Sequence, residues 1–556
     1  MKKKLTALLL CLCLCVGFFT ACGGDGGGAQ KLQQLWNRTE PASDGEEADD
    51  GEEPVQSLEQ TPEAEASELT QKPEVSGRSL LPEVELVRTH RYEGDENGAR
   101  YVSLLEAHYD VAQLSAESAG LYPQLAAALA DYAYSFQRNK DAGLEEELSW
   151  AREQYGWMPD SFYAYTDESS LTVRRADTQA VSLLYLHSSY TGGIHPNYFY
   201  ATLNYDTATG REIALEDVIS DFDGLKTEME KRLRDAYGED TFFGLHEQLQ
   251  EYGSDQFTWT MEPEGLRFYF SPYEMASYAA GTQQVFFGFD EAPAFFSGTY
   301  GKQEGDWAMA FSVWEDLTFH QGPGGSGDTL RVETLSDKDF GISGLKIVYN
   351  GQSLMEEELW AYDFAPVLLH SEAFGDFLYI DCSFDNDHHM LLVYRLGEDG
   401  PALAGRMSET GFYQSWQETG QTVSRAVTDP GALLLGRHTN LMSTYDVAMR
   451  CHLSESGKPE SERDWFDIPA GHVLTALREM EFPLIDAGSG QETGRRGVIP
   501  IGAQVTMART DCESFVDLAW EGALYRAYIT MGEYGWPEYI DGIELEECFD
   551  GTMFAG

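Results

Sequence analysis

The stretch that decides the fold runs from Ser188 to Asp206 and reads Ser188-Ser189-Tyr190-Thr191-Gly192-Gly193-Ile194-His195-Pro196-Asn197-Tyr198-Phe199-Tyr200-Ala201-Thr202-Leu203-Asn204-Tyr205-Asp206. From Tyr198 onward, aromatic and aliphatic residues alternate with a period of two, which predicts a half-buried strand. Gly192 and Gly193 allow the backbone before the strand to take a positive φ. The run from Asp206 to Gly210 predicts the turn that ends it.

This stretch resembles the RsiV-like family, domain of unknown function 3298. The resemblance rests on the glycine-histidine loop, the aromatic strand and a following turn, and on a second block downstream. It spans about Val84 to Phe296. The matching residues are Tyr190-Thr191-Gly192-Gly193, His195, Asn204-Tyr205-Asp206, Thr209-Gly210, Leu215-Glu216-Asp217-Val218, Leu266-Arg267-Phe268-Tyr269-Phe270-Ser271-Pro272-Tyr273-Glu274-Met275-Ala276 and Tyr278-Ala279-Ala280-Gly281.

The resemblance implies an extracytoplasmic binding domain. In that family the domain is the sensor of an anti-sigma factor that recognises lysozyme, and it also accompanies a peptidoglycan deacetylase. No cytoplasmic segment or membrane span precedes the domain here, so the anti-sigma activity is not expected. Pro196 stands where family members often carry a small residue after the loop histidine.

Composition restricts the class of partner. The chain has 556 residues, of which 42% are hydrophobic, enough for about two to four domain cores. Its formal charge of −57 argues against nucleic acid, because phosphate binding needs a basic surface. An acidic surface keeps a protein soluble, and it also attracts cationic partners.

The first residues predict export and a lipid anchor. Lys2-Lys3-Lys4 and the apolar run from Leu5 to Phe19 are typical of a signal peptide, here residues 1–21. Phe19-Thr20-Ala21-Cys22 resembles a bacterial lipobox, which implies an acylated Cys22 inserted in the lipid bilayer. Ordinary cleavage after Ala21 is the alternative. Loss of three lysines takes the mature charge to −57 − 3 = −60.

Residues 22–80 predict a disordered acidic tether, because they are rich in Glu, Asp, Pro, Ser and Gln and hold few large apolar residues. Residues 81–298 predict an α+β domain, a mostly antiparallel sheet with helices on one face. Within it we expect two strands from Val84 to Val111, and a helix from Gly120 to Phe136 with Pro123 in its first turn. A second helical piece is expected at 144–155 and a further helix around 222–233. Strands are expected at 171–174, 180–188, 257–259, 266–270 and 285–289.

Residues 328–467 predict a β-rich domain, a sandwich or propeller-like fragment, with a hairpin formed by Phe377–Asp381 and Leu391–Leu396. Residues 470–556 resemble a bacterial SH3-type barrel. That resemblance rests on Phe482-Pro483-Leu484, Gly497-Val498-Ile499-Pro500-Ile501-Gly502, Phe515-Val516-Asp517-Leu518 and Phe549-Asp550-Gly551.

The candidate ligand-binding residues come from the two resembling blocks, and no catalytic residue is predicted. His195 could act as a base or bind a ligand, but no serine, cysteine or carboxylate is identifiable beside it, so we expect it to fix its own backbone. Loop tyrosines suit protein recognition or pack under the turn. The candidates are Thr191, Gly192, Gly193, His195, Pro272, Tyr273 and Tyr278.

No metal site and no cofactor are predicted. Asp385, Asp387, His388 and His389 carry metal-binding side chains, but such residues in a hairpin turn are usually solvated turn residues. Among the cysteines outside the signal peptide, Cys382 and Cys451 show no pairing pattern. Export makes a disulfide possible, and Cys512 with Cys548 is the pair best placed for one, but four buried free thiols are the stronger expectation.

The sequence therefore predicts a non-catalytic, membrane-anchored lipoprotein at the cell surface. It would bind a cationic, lysozyme-like protein or peptidoglycan. The alternative is a cell-wall hydrolase with a site around His195, and a third interpretation treats the domains as spacers.

Overall fold

The computed structural model describes residues 80–554 except 98–99, 324, 326, 338–340, 386–387, 418, 462, 470 and 533–534. Residues Leu81–Gly556 form one compact unit. The predicted signal peptide, the acylated Cys22 and the acidic tether lie outside the described residues. Within those residues, no helix combines the length and the apolar character needed to cross a membrane.

The quoted stretch belongs to a seven-stranded sheet. Its order is β19-β20-β1-β2-β3-β4-β5. Only β2 and β3 are parallel, since a long helix crosses between them. The strands are β1 (Val84–Asn97), β2 (Arg100–Leu114), β3 (Tyr165–Ala176), β4 (Ala180–Tyr190), β5 (Asn197–Asp206), β19 (Gln414–Trp416) and β20 (Gln421–Arg425). The mostly antiparallel sheet is thus confirmed.

The crossover contains α1 (Ala116–Leu121) and α2 (Pro123–Trp157). Pro123 starts α2, as predicted, because the first helical position needs no backbone donor. Residues 144–155 are helical, as predicted, but they continue α2 as one helix of 35 residues and do not form a separate second piece. Lys140 lies on its buried face and pairs with Asp167, so a lysine occupies a position where periodicity expects an apolar side chain.

A second sheet packs beside the first. The three-stranded sheet β6-β7-β8 is separate, so the prediction of a single sheet was wrong. Its core includes Phe268, Leu225, Met229 and Leu233, which join it to the helices. The elements are α3 (Leu215–Val218), α4 (Phe222–Tyr237), α5 (Leu245–Glu251), β6 (Thr258–Glu262), β7 (Gly265–Phe270) and β8 (Gln283–Gly288).

Two further sheets share one hydrophobic core, as in a sandwich. Their orders are β10-β11-β12-β13 and β17-β16-β15-β14-β9. The predicted hairpin is confirmed, with β15 paired to β16 from Asp376 to Ser383. The strands are β9 (Trp307–Ala310), β10 (Leu317–Phe319), β11 (Asp328–Asp337), β12 (Gly341–Tyr349), β13 (Gln352–Glu357), β14 (Asp363–Ser371), β15 (Gly375–Ser383), β16 (His389–Gly397) and β17 (Gly400–Ser408).

The last strands form one branched sheet along the path β18-β21-β22-β24-β28-β29-β30-β26-β27. A closed barrel is not present in the described residues, so the SH3-type barrel is not confirmed. The elements are β18 (Gly411–Phe412), β21 (Leu433–Thr439), β22 (Tyr445–Leu453), β23 (Pro459–Glu460), β24 (Phe466–Asp467), β25 (Val473–Ala476), β26 (Met480–Ile485), β27 (Glu492–Ile499), β28 (Gln504–Thr510), β29 (Phe515–Trp520), β30 (Ala523–Met531), β31 (Glu538–Ile540), β32 (Ile543–Glu544), α6 (Leu545–Cys548) and β33 (Phe549–Asp550).

Sheets extend across the predicted domain boundaries. Residues 85–89 of β1 pair with residues 421–425 of β20, and β24 pairs with β28 across residue 470. The boundaries 81–298, 328–467 and 470–556 remain a prediction. Cys382, Cys451, Cys512 and Cys548 are all free thiols, which agrees with the stronger of the two expectations, and the Cys512–Cys548 disulfide is not formed.

Candidate functional site

The glycine-histidine loop joins β4 to β5. Ser189 pairs with Asn197, so the intervening residues close the hairpin. Gly192 takes φ +88°, as its sequence position predicts. The side chain of Gln154 near the end of α2 occupies the space that a Cβ at Gly192 would need, 2.8 Å away. The loop is therefore held against the long helix.

The structure brings the two resembling blocks together at this loop. The imidazole of His195 stacks on Tyr278, with 3.7 Å between ring centroids. Tyr198 contacts the Tyr278 ring edge-on, with 5.6 Å between ring centroids. Tyr273 lies tilted against the Tyr278 ring, with 5.8 Å between centroids. The Tyr278 hydroxyl donates a hydrogen bond of 2.8 Å to the carbonyl of Pro196. Of the predicted site residues, His195, Tyr273 and Tyr278 thus form one cluster.

The chemistry of His195 is directed at its own backbone. Its Nδ1 lies 2.9 Å from the carbonyl oxygen of Pro196, so Nδ1 carries the proton in this hydrogen bond. The hydrogen bonds and ion pairs found among the described residues join His195 to no carboxylate and no nucleophile. This arrangement agrees with a loop histidine that fixes its backbone. The hydrolase alternative stays a prediction, and no partner for such a site is visible in this part of the chain.

The remaining predicted residues differ in exposure. Thr191, Gly192 and Gly193 are exposed, whereas Pro272 is buried under the turn that Tyr273 occupies. Tyr273 itself takes a positive φ of 67°, which is uncommon for a residue other than glycine. Whether any of these residues contacts a ligand stays a prediction.

Asn204, which belongs to the first resembling block, and Ser182 of β4 connect the sheets. The Asn204 amide donates to the Trp259 carbonyl at 3.0 Å and accepts from the Ser182 hydroxyl at 2.6 Å. That hydroxyl also accepts from the backbone N–H of Met261, at 3.0 Å. The Ser182–Asn204 pair therefore joins the seven-stranded sheet to the three-stranded sheet. Asn204, one of the residues that carry the family resemblance, therefore has a structural role.

Sequence reasoning missed the exposed side chains around the cluster. Ile194 at the tip of the loop is fully exposed, at 101%, and Trp157 at the end of α2 is 79% exposed. Trp150 and Trp157 lie four residues before and three after Gln154, so they share the helix face that meets the loop. We name Trp150, Trp157, Met158, Ile194 and Tyr273 the apolar face; the last three are at least half exposed.

Exposed charged residues flank Trp157 in the sequence. Arg152 and Glu153 precede it on α2, and Asp160 follows it. Exposed apolar residues rimmed by charged ones are typical of protein interaction sites. No pattern of spacing in the sequence could identify this surface, because an exposed isoleucine or tryptophan has the same sequence signal as a buried one.

A cavity of about 780 Å³ lies beside the turn between β15 and β16. Its lining combines aromatic rings with charged groups, as small-ligand sites do. Trp360, Tyr362 and Trp536 supply rings, and Asp385 and Glu409 supply carboxylates. These residues were not predicted as a site.

The turn residues considered as metal ligands bind separate partners. Asp385 accepts from the Tyr362 hydroxyl, His388 Nδ1 lies 2.8 Å from Glu409, and His389 Nδ1 lies 2.8 Å from Asp381. Asp387 lies outside the described residues. In this part of the structure, each of these turn residues therefore forms a hydrogen bond with a different partner.

Comparison with known proteins identifies one family. The family model described as "Protein of unknown function (DUF3298)" matches residues 216–290, which include the second resembling block but not the His195 loop. A crystal structure of a DUF3298 family member from Bacteroides fragilis is 17% identical and covers 39% of this chain and 94% of its own, with a TM-score of 0.31. A DUF3298 family protein from Pseudomonas aeruginosa is 12% identical and covers 39% and 97%, with a TM-score of 0.28.

A search of curated proteins gives no match. The family model confirms the resemblance to DUF3298 over residues 216–290. The chain contains a DUF3298 domain, which the family model matches at residues 216–290.

Proposed function

We propose that the protein is a surface lipoprotein that binds a basic, lysozyme-like protein through the apolar face. The observation that carries this proposal is the full exposure of Ile194 on a loop whose backbone is fixed by His195 and Tyr278. A rigid loop that presents an apolar side chain loses little entropy on binding.

Charge complementarity selects the class of partner. The chain carries a formal charge of −57, and the exposed residues Glu153 and Asp160 lie close to Trp157 in the sequence. Opposite charges across an interface accelerate association and exclude acidic competitors. A basic protein of the lysozyme type, which the family resemblance suggests, has the matching charge.

The test is a calorimetric titration of residues 81–556 with hen lysozyme at about 20 mM and about 200 mM salt, concentrations that change electrostatic screening. We expect saturable binding with defined stoichiometry at low salt and weaker binding at high salt. An absence of binding at low salt would exclude a lysozyme-like partner.

We also propose that Cys22 is acylated and anchors the chain in the bilayer. The proposal rests on the lipobox-like sequence before Cys22. Radioactive palmitate should label the wild-type protein, which should sediment with membranes, whereas Cys22→Ser should be unlabelled. A labelled Cys22→Ser variant, or an unlabelled soluble wild type, would contradict the anchor.

Peptidoglycan is a second candidate ligand, favoured by the aromatic cavity. Trp360 and Tyr362 are 48% and 66% exposed at its rim, where rings can stack on sugar faces. Insoluble peptidoglycan should pellet the wild type and leave Trp360→Ala in solution. Trp314→Ala is the matched control, because Trp314 is 49% exposed and does not line the cavity. Equal pelleting of both variants would contradict this role.

The SH3-type character of residues 470–556 is a further proposal. Its support is the tight connection between β27 and β28, where Gly502 takes φ +80°. An experimental structure in which these strands close into a barrel would support the proposal, and an open sheet would contradict it.

A further inference from the structure

Two histidines and an aspartate meet at strand ends of the sandwich, where His320 lies next to the cross-strand pair His370 and Asp376. His320 follows β10, His370 lies near the end of β14, and Asp376 lies at the start of β15. The ligand atoms of the three residues all lie within 4.8 Å of one another. This spacing is that of side chains gathered around one ion.

The distances define the arrangement. His320 Nε2 lies 3.0 Å from Asp376 Oδ2, and His370 Nδ1 lies 2.7 Å from Asp376 Oδ1. The two imidazole rings are 4.7 Å apart and nearly perpendicular. Each nitrogen therefore faces the same carboxylate from a different side.

A second carboxylate orients His320. Glu264 lies 3.0 Å from His320 Nδ1 and also accepts the backbone N–H of His320. Lys302 in turn pairs with Glu264 at 2.6 Å. A carboxylate that accepts one ring N–H of a histidine directs the other ring nitrogen toward a metal, as outer-shell groups do in zinc sites.

The three residues are packed against the protein on one side and are open to solvent on the other. Trp307 is 1% exposed and packs on His370, with 5.3 Å between ring centroids. The side chains of His320, His370 and Asp376 are 24%, 21% and 13% exposed to solvent. An ion can enter from solvent and complete its coordination with water. The backbone of His320 takes φ +52°, which is uncommon for a residue other than glycine.

We propose that His320, His370 and Asp376 form a binding site for a divalent transition-metal ion of the Zn²⁺ type, with Glu264 as the positioning residue behind His320. Two imidazole nitrogens and one carboxylate suit Zn²⁺ and its neighbours, whereas Ca²⁺ and Mg²⁺ prefer oxygen ligands alone. Three protein ligands leave one position for water or for a ligand.

The competing arrangement is a proton in place of the metal. Burial lowers the pKa of His320, but hydrogen bonds and charges from Asp376 and Glu264 outweigh it and raise the pKa to about 10. A metal-free site is then an imidazolium between two carboxylates. The two arrangements differ in metal content, which can be measured directly.

The test uses the untagged chain of residues 81–556, freed of metal with EDTA and dialysed against Zn²⁺. Excess Mg²⁺ in every sample occupies the acidic surface. We expect one tightly bound Zn²⁺ per chain and a higher thermal unfolding temperature with Zn²⁺. A Co²⁺-loaded sample should show visible absorption typical of nitrogen and oxygen ligands.

Matched variants assign the site. His370→Ala and Asp376→Asn should lose the bound Zn²⁺. His438→Ala should keep it, because His438 and Asp446 are direct cross-strand partners like His370 and Asp376 but belong to no such cluster in the described residues. If His370→Ala fails to fold, Glu264→Gln serves instead and should weaken Zn²⁺ affinity by about 10–100-fold.

Two results would overturn the proposal. One is a wild-type chain that binds no Zn²⁺ when excess Mg²⁺ is present. The other is a loss of Zn²⁺ in His438→Ala as large as that in His370→Ala.

Discussion

The phenol ring of Tyr278 stacks on the imidazole of His195, with centroids 3.7 Å apart and planes 19° apart. Both residues were predicted as parts of the site, from two separate blocks of sequence. Tyr278 also donates its hydroxyl to the carbonyl that follows His195. The pair therefore fixes the loop that presents Ile194, and this contact is the basis of the proposed binding surface.

Removal of the Tyr278 ring should loosen the loop. Tyr278→Ala loses both the stacking and the hydrogen bond to Pro196, and should cost about 1–3 kcal/mol of unfolding free energy. Tyr278→Phe loses only the hydrogen bond and should cost about 0.5–1.5 kcal/mol. Hydrogen exchange of residues 190–197 measures the effect, and unchanged protection in Tyr278→Ala would show that the stack does not hold the loop.

Glycine should be needed at position 192 but not at 193. Gly192 takes φ +88° and contacts Gln154, whereas a Cβ at Gly193 would meet its nearest atom at 3.6 Å. Gly192→Ala should therefore lower stability by about 1 kcal/mol or more, with Gly193→Ala near neutral. Urea unfolding of both variants compares them, and equal stability would argue against the strained loop.

A buried ion cluster should be a major stabilising contact between the sheets. Arg174 of β3 is fully buried and pairs with Glu262 of β6 at 2.5 Å and Glu315 at 2.9 Å. Arg174→Met removes a positively charged partner from both buried carboxylates. The substitution should lower the free energy of unfolding by about 3–5 kcal/mol. Arg463→Met is the control, because the Arg463–Asp467 pair is about half exposed and should contribute about 0–1 kcal/mol. Similar losses in the two variants would refute the cluster's role.

Glu274 under the Tyr273 turn should make stability fall with rising pH. Burial raises its pKa to about 7, although hydrogen bonds from Ser271 and Tyr252 act in the opposite direction. A raised pKa means that the folded state binds the proton more tightly. This stabilisation is complete below about pH 4.5, the value in the unfolded chain, and is lost as pH rises through about 7.

The Glu274 effect is measured as the difference between wild type and Glu274→Gln, which has no proton to lose. Between about pH 5 and about pH 8, the free energy of unfolding of the wild type should fall by up to about 3 kcal/mol more than that of Glu274→Gln. The difference is needed because burial also raises the pKa of Glu147 and Glu538 to about 7. Parallel pH profiles would show that Glu274 does not titrate in this range.

Local structure followed from the sequence where periodicity and turn chemistry were strong. The strand Asn197–Asp206, the place of Pro123 in the first turn of a helix and the hairpin of β15 and β16 were predicted correctly, whereas the predicted helix start at Gly120 falls in α1. The single long α2 was missed because Lys140 interrupts its apolar stripe. The separate three-stranded sheet and the pairing of β1 with β20 were not predictable, because strand pairing across long stretches of chain leaves no local pattern.

The aromatic cluster at the candidate site was predictable in three of its residues but not in its geometry. His195, Tyr273 and Tyr278 were identified, yet their contact depends on the packing of two loops. Ile194 and Trp157 were missed because exposure depends on tertiary structure. His320, His370 and Asp376 show no metal-site spacing in the chain, and only the meeting of β10 with β14 and β15 brings them together.

The central claim, that the apolar face binds a basic protein, is tested most directly by lysozyme titration of Ile194→Ser beside Ile501→Ser at low salt. Both substitutions preserve charge, and Ile501 is 70% exposed and lies far along the chain, in the turn between β27 and β28. Ile194→Ser should weaken binding by about 10-fold, while Ile501→Ser keeps the wild-type affinity. Equal affinities for wild type and both variants would contradict the claim.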